Sequence, residues 1–198
     1  MIIFVQNNFN LERSEQELVR REKLNQLRAL GIDPYPAAAF STDANSESIA
    51  VDFTEGKQVT IAGRLMSRRI QGKASFAELQ DSKGRIQIYF NRDILCPTED
   101  KSMYNDVYKK LLDIGDIIGV SGTLFTTQVG EKTVQVESLY VLSKSLRPLP
   151  LPKTDADGNT FDLFSDPEQR YRMRYVDLIV NPQVKDTFLK RTKITNTI

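Results

Sequence analysis

The sequence predicts an all-β core of five strands, with a helical extension before the core and a helix between strands three and four. Two observations carry this prediction. Apolar residues recur at helical spacing near the start of the chain, but from Gln58 onward they alternate with polar residues, as in strands that bury one face. Within this alternating region, residues 101–112 return to helical spacing before the alternation resumes.

The extension begins with a helix expected at about residues 14–30. Ser14 and Glu17 have the spacing of a capping box, and Gly31 follows as a C-terminal cap. Two prolines after Gly31 exclude a continuation of the helix, and the small, polar residues that follow are interpreted as a linker. Residues 1–56 are therefore predicted to form an N-terminal extension.

The predicted core domain spans residues 57–145. Its strands are expected at 58–67, 74–80, 85–90, 114–125 and 133–142. The second and third strands are joined by a turn, Asp81-Ser82-Lys83-Gly84, in which Gly84 is expected to supply a positive φ. The predicted order is three strands, a helix and two further strands, and the fourth strand contains glycines. A five-stranded OB-fold barrel has this order. A two-sheet sandwich gives a similar order and stays open as an alternative.

The chain after the predicted barrel falls into two parts. Residues 146–160 begin with alternating prolines and are interpreted as a stiff, Pro-rich linker. Residues 161–198 contain two helical patterns, at 167–176 and 186–198. Because the second pattern has no capping residue after it, we expect residues 161–198 to be the truncated start of a further domain.

Composition excludes several kinds of chemistry. The chain has 198 residues and no histidine, so catalysis by histidine and metal binding by imidazole are excluded. Its single cysteine, Cys96, cannot form an intrachain disulfide and indicates a reduced compartment, expected to be the cytoplasm. No apolar run approaches the ~20 residues of a membrane-spanning helix, so no membrane partner is expected. We find no catalytic or metal-binding arrangement in the sequence.

Basic residues are concentrated in one block, although the net charge of the chain is only +1. Residues 57–97 carry 8 basic and 3 acidic side chains, which is typical of a polyanion site or of an ordinary solvated surface. Arg69, Phe76 and Gln87 lie on the first three strands. If these strands pair in antiparallel fashion, the three side chains can project from the same face of the barrel. A guanidinium, an aromatic ring and an amide are the groups that bind single-stranded nucleic acid. Taken alone, Phe76 fits a core aromatic better and Arg69 fits a solvated strand end equally well.

Several short segments, in order along the chain, carry a resemblance to a known family. They are Gly63–Arg69, Gly72–Phe76, Leu79–Asp81, Gly84–Tyr89, Leu112–Asp116, Val129–Glu131, Leu146–Pro150, Arg174–Ile179 and Thr187–Arg191. From about Glu17 to its end, the chain resembles class II lysyl-tRNA synthetases, in their N-terminal anticodon-binding domain. Aspartyl- and asparaginyl-tRNA synthetases share the barrel with its Phe and Gln, but Gly72–Phe76 and Leu146–Pro150 point to lysine.

The resemblance implies that the barrel binds the anticodon loop of the lysine tRNA, tRNA-Lys. Phe76 would stack on a base of the U-rich anticodon, Gln87 would hydrogen-bond a base edge, and Glu131 would read another base. Arg69 would hold phosphates or base edges, and Arg68 and Lys73 would support it. Glu131 is not indicated by charge, because a carboxylate repels a polyanion; it fits only as an acceptor for a base N–H.

The resemblance also implies a parent enzyme that joins lysine to ATP, with Mg²⁺, and then transfers the lysyl group to tRNA. In this family the enzyme is a homodimer, and its active site lies in a C-terminal domain with three motifs. Residues 161–198 would be the start of that catalytic domain, before motifs 2 and 3. This chain alone is therefore expected to activate no amino acid and to need no cofactor.

Two other functions stay open. One is a freestanding OB-fold module that binds single-stranded nucleic acid without sequence preference, and the other is an OB-fold domain that binds proteins. The first predicts stacking aromatics along much of the groove, whereas Phe76 is the one clear stacking residue in the sequence. The second needs no basic block at 57–97. Both observations favour the anticodon-binding domain.

Overall fold

The computed structural model describes residues 13–154, 160–161 and 164–197. Parts of the predicted extension, linker and further domain lie outside the described residues, namely 1–12, 155–159, 162–163 and 198. The chain divides into two compact units, the first ending at Pro148 and the second beginning at Leu149. No helix among the described residues has both the length and the apolar character needed to cross a membrane.

A closed barrel of five strands forms the centre of the first unit. The strands are β1 (Gln58–Gln71), β2 (Ala74–Gln80), β3 (Arg85–Asn91), β4 (Ile117–Thr126) and β5 (Lys132–Ser143). They follow one another in the order β1-β2-β3-β5-β4, and β4 returns to β1. The β3–β5 pairing is parallel and the other four are antiparallel. The closed ring confirms the predicted barrel and excludes the two-sheet sandwich.

Four helical segments accompany the barrel in the described part of the first unit. They are α1 (Glu15–Ala29), α2 (Ser46–Val51), α3 (Arg92–Leu95) and a π-helix (Met103–Leu111). The π-helix lies between β3 and β4, as predicted. Its Tyr108 ring is fully buried, 4.0 Å from the ring of Phe90 between centroids, and burial raises the pKa of Tyr108 to about 12. The π-helix therefore contributes to the core of the barrel.

Helix α1 begins and ends as the sequence predicts. Ser14 Oγ accepts a hydrogen bond from the N–H of Glu17 at 3.3 Å. Gly31 has a φ of +76°, and the N–H of Ile32 donates to the carbonyl of Leu27 at 3.0 Å in a Schellman motif. Because Leu27 is fully buried in the main core, this helix packs on the barrel.

A buried ion cluster connects α1 with the residues before β4 and after β5. Lys144 Nζ lies 2.7 Å from Asp116 Oδ2 and 2.6 Å from Asp113 Oδ2, and both Lys144 and Asp116 are fully buried side chains. Lys23 of α1 contacts Asp113 Oδ1 at 2.5 Å. Burial raises the pKa of Asp116 despite its contact with Lys144. At Asp113, burial is outweighed by hydrogen bonds from Lys144 and Lys23, and its pKa is lowered.

Residues 37–56, interpreted from the sequence as a linker, contain the helix α2. Asn45 caps this helix and forms a capping box with Ser48, and Ile49 is buried in the barrel core. With only six residues, α2 is too short for a helical period to appear in the sequence. The extension therefore contributes to the core through α2 as well as α1.

The turn between β2 and β3 differs from the prediction at Gly84, which does not have a positive φ. The carboxylate of Asp81 holds the turn, since its Oδ1 accepts hydrogen bonds from the N–H groups of Lys83 at 2.7 Å and Gly84 at 2.8 Å. A Cβ at position 84 would lie 3.1 Å from Ser46 Oγ. The close approach of α2 thus favours glycine at this position.

The second unit is helical in most of its described residues. Its elements are β6 (Lys153–Thr154), β7 (Thr160–Phe161), α4 (Pro167–Arg172), α5 (Arg174–Val180) and α6 (Pro182–Thr197). The buried carboxylate of Asp177 accepts hydrogen bonds from Arg170 Nε at 3.0 Å and Asn181 Nδ2 at 2.7 Å. Several large apolar side chains of this unit are exposed, namely Tyr171, Tyr175, Leu189 and Ile194.

Candidate nucleic-acid interface

The register of β1, β2 and β3 determines which side chains share the outer face of the barrel. Arg69 pairs with Phe76 and Phe76 pairs with Tyr89, so these residues form one row across the strands. Gln87 lies two residues before Tyr89 on β3, so its side chain points to the same face of the strand. Phe76 and Gln87 are half-buried and Arg69 is exposed. The structure thus brings Arg69, Phe76 and Gln87 to one face, as the strand pattern predicts.

A hollow of about 420 Å³ opens on this face. Five of the six side chains implied by the resemblance line it, namely Arg68, Arg69, Phe76, Gln87 and Glu131. The sixth, Lys73, is exposed in the turn after β1, where Gly72 has a φ of +61°, and does not line the hollow. The volume lies within the range of small-molecule sites and accommodates a nucleobase.

Arg68 lines the hollow, but its guanidinium is directed to the π-helix. Nη1 donates to the carbonyl oxygens of Tyr108 at 2.5 Å and Leu112 at 3.0 Å, and the guanidinium carbon lies 5.6 Å from the centroid of the Tyr108 ring. Carbonyls at the end of a helix need partners from outside the helix. The contacts show that Arg68 holds the π-helix; its supporting role toward phosphates or base edges stays a prediction.

Gln87 is oriented by its neighbour on β5. Thr133 is fully buried, and its hydroxyl donates to Gln87 Oε1 at 2.8 Å. Because the amide oxygen is occupied in this way, the NH₂ group of Gln87 remains to donate to a ligand. Gln87 is therefore prepared to read an acceptor, such as the carbonyl oxygen of a base.

Glu131 is positioned by the tight turn that joins β4 to β5. Gly130 has a φ of +86°, the N–H of Glu131 donates to Thr127 Oγ1 at 3.0 Å, and the N–H of Thr127 donates to the Glu131 carbonyl at 3.0 Å. The Glu131 side chain is exposed and has no ion pair with any described residue. Glu131 lies two residues before Thr133, the β5 partner of Gln87, and Gln87 and Glu131 both line the hollow.

Two further charged residues, Glu78 and Arg85, line the hollow. The sequence analysis did not single them out. Arg85 Nη1 lies 3.0 Å from Glu78 Oε2, so the charge of Glu78 is paired with that of Arg85. Both residues occupy outward positions of the predicted hairpin, in alternation with the buried Leu79 and Ile86. That alternation is the signal from which they could have been found. With Arg69 and Arg85 against Glu78 and Glu131, the hollow presents donors and acceptors of both signs.

The outer face carries three aromatic rings in contact, not one. Phe76 and Tyr89 have ring centroids 4.9 Å apart and planes inclined at 45°. Tyr89 and Phe125 of β4 have centroids 5.8 Å apart and planes inclined at 65°. Phe76 is therefore not the only aromatic ring among the described residues of this face, so the count of aromatics no longer separates an anticodon-binding domain from a general single-strand binder.

Comparison with known proteins shows which proteins the chain is similar to. Residues 59–142 match the tRNA anti-codon family, an OB-fold nucleic acid binding domain. The chain is 67% identical over 189 residues to the lysine–tRNA ligase of Christiangramia forsetii, covering 96% of this chain and 33% of that ligase. For the lysine–tRNA ligase of Porphyromonas gingivalis the identity is 59% over 193 residues, covering 95% and 33%. For that of Thermoanaerobacter sp. it is 47% over 199 residues, covering 97% and 37%.

The chain spans about a third of the length of the curated relatives it matches. Its barrel, β1–β5, coincides with the matched residues 59–142. The chain therefore contains a member of the OB-fold nucleic acid binding domain family and is, over nearly its whole length, a homologue of the lysine–tRNA ligases.

Proposed function

We propose that this chain is the anticodon-binding part of a lysine–tRNA ligase and that its outer face binds the anticodon loop of tRNA-Lys. The observation that carries the proposal is the hollow in which Arg69, Phe76, Gln87 and Glu131 meet. An isolated charged surface would not combine an aromatic face, an oriented amide and an unpaired carboxylate. The names of the relatives support lysine as the amino acid.

Each side chain has a distinct task in this proposal. Phe76 stacks on one unpaired base, while Arg69 and Lys73 contact phosphates; these contacts supply affinity for any single strand. Gln87 donates to a base carbonyl, and Glu131 accepts from a base N–H; these contacts distinguish one base from another. The carboxylate lowers affinity for polyanions in general, so its place in the hollow favours discrimination.

The intact enzyme is proposed to be a cytoplasmic homodimer that joins lysine to ATP, with Mg²⁺, and then transfers the lysyl group to tRNA-Lys. Within it we assign residues 1–56 to the N-terminal extension, 57–145 to the barrel, 146–160 to a linker and 161–198 to the start of the catalytic domain. The chain by itself is proposed to activate no amino acid and to need no ATP or Mg²⁺. Lysine-dependent exchange of pyrophosphate into ATP by this chain would contradict that proposal.

The test is a fluorescence anisotropy titration of a lysine anticodon stem-loop at two salt concentrations. A loop with the same stem but replaced anticodon bases serves as the control. We expect a preference for the lysine loop that survives at the higher salt concentration, because hydrogen bonds to bases do not depend on counterion release. Equal binding of both loops that collapses with salt would leave only phosphate contacts and would overturn the proposal.

A freestanding single-strand binder is the second candidate, and the row of three rings on the outer face is the observation in its favour. Such a module would bind oligo(dT) and the lysine stem-loop equally well. An oligo(dT) arm in the same titration therefore separates the two candidates.

Replacing Thr133 by valine is expected to weaken binding of the lysine stem-loop by about 0.5–1.5 kcal/mol, the usual net contribution of a hydrogen bond. Valine has the shape of threonine but cannot donate to Gln87 Oε1, so the amide loses its fixed orientation. The same titration measures the effect, and a circular dichroism melt verifies the fold. An unchanged dissociation constant would show that Thr133 does not position Gln87.

A further inference from the structure

We propose that Tyr89 and Phe125 form a second base-stacking surface, which takes an unpaired base next to the one on Phe76. The inference rests on the proposed function, because it requires that this face bind a single-stranded loop. It adds a binding site for a second nucleobase to the side chains that the resemblance implies.

The first support is the continuity of the ring contacts. Tyr89 contacts Phe76 on one side and Phe125 on the other, with centroid separations of 4.9 Å and 5.8 Å. All three rings belong to outward-facing, half-buried positions of their strands. Since Tyr89 and Phe125 do not line the hollow beside Phe76, they extend the stacking surface beyond it.

The second support is the chemistry that Tyr89 presents. Its hydroxyl forms no hydrogen bond with any described residue, although tyrosine hydroxyls in part-buried positions usually find a partner. An aromatic face beside an unused donor and acceptor suits a nucleobase, which offers a π-face and polar edges together. The ring and the hydroxyl of Tyr89 are therefore both available to one base.

The third support is the contrast with another aromatic pair in the first unit. Phe40 and Tyr140 have ring centroids 5.3 Å apart. The Phe40 ring fills the space above Gly119, where a Cβ would lie 2.5 Å from the ring. That pair has a packing role because the Phe40 ring covers Gly119, whereas Phe76, the ring neighbour of Tyr89, lines the hollow.

The chain contains no tryptophan, so a single introduced tryptophan reports on its own surroundings. We would prepare Tyr89→Trp and Phe125→Trp, with Tyr140→Trp as the matched control, and verify each fold by circular dichroism. Titration with the lysine stem-loop is expected to quench the emission at positions 89 and 125 and to leave that at position 140 unchanged. Binding is followed in the same samples by the anisotropy of a dye on the RNA.

A second measurement uses leucine, which keeps apolar volume but has no aromatic face. Tyr89→Leu and Phe125→Leu are each expected to raise the Kd for the lysine stem-loop about five-fold or more, which is the lower end of the cost of a lost base stack. If the RNA binds but neither tryptophan is quenched and neither leucine variant weakens binding, this inference is wrong and the proposed function stands. If the lysine loop does not bind at all, the proposed function fails and this inference fails with it.

Discussion

Replacing Phe76 by alanine is expected to weaken binding of the lysine anticodon stem-loop by about 1–3 kcal/mol, roughly 5- to 150-fold in Kd. The reason is that the ring of Phe76 forms the aromatic wall of the hollow and its loss removes one base stack. Surface charges such as Arg69 contribute less each, because water and salt screen them. The measurement is the anisotropy titration at the higher salt concentration, where phosphate contacts contribute least.

Two control variants separate stacking from stability. Phe76→Leu keeps an apolar side chain against Tyr89, so it should retain the fold but lose most of the stacking energy. Tyr140→Ala removes an aromatic side chain that is 49% exposed and does not line the hollow, so binding should be unaffected. If Phe76→Leu binds as tightly as the unchanged chain, Phe76 acts by packing and not by stacking.

Replacing Lys144 by methionine is expected to lower the free energy of unfolding at neutral pH by about 3–5 kcal/mol. Methionine fills much of the same space but leaves the buried Asp116 without its ion-pair partner, which lies 2.7 Å away. The uncompensated charge, and not the lost attraction itself, accounts for most of the loss. Urea unfolding followed by circular dichroism measures it.

The effect of Lys144→Met should shrink as the pH falls. Burial already raises the pKa of Asp116, and Lys144 is the group that opposes the rise; without it, the pKa rises further. Between the unfolded value of about 3.9 and this raised value, the folded variant binds more protons than the unfolded chain, so its stability increases on acidification. Lys57→Met is the control, because Lys57 and Asp52 form an exposed ion pair at 3.3 Å worth about 0–1 kcal/mol. A pH-independent loss would contradict a charge mechanism.

Local pattern accounts for the parts of the fold and site that the sequence predicted. The strand boundaries of β2 follow the alternation of apolar and polar residues, and the same alternation places Phe76 and Gln87 on one face. Helix α1 was predicted from its caps, since Ser14 and Gly31 act through contacts within a few residues. Helix α2 was not, because six residues show no period and its burial depends on contact with the barrel.

The sequence by itself determined the order of the strands along the chain, the common face of Phe76 and Gln87 and the presence of a helix between β3 and β4. Only the tertiary structure decided how β5 pairs with β3 and with β4 to close the barrel. Closure of the barrel sets β5 beside β3, which brings Thr133 to Gln87 and Phe125 of β4 to Tyr89. It also directs Arg68 to the end of the π-helix. The physical reason is that alternation is a property of adjacent residues, whereas these three contacts arise between residues that lie more than 35 positions apart in the chain.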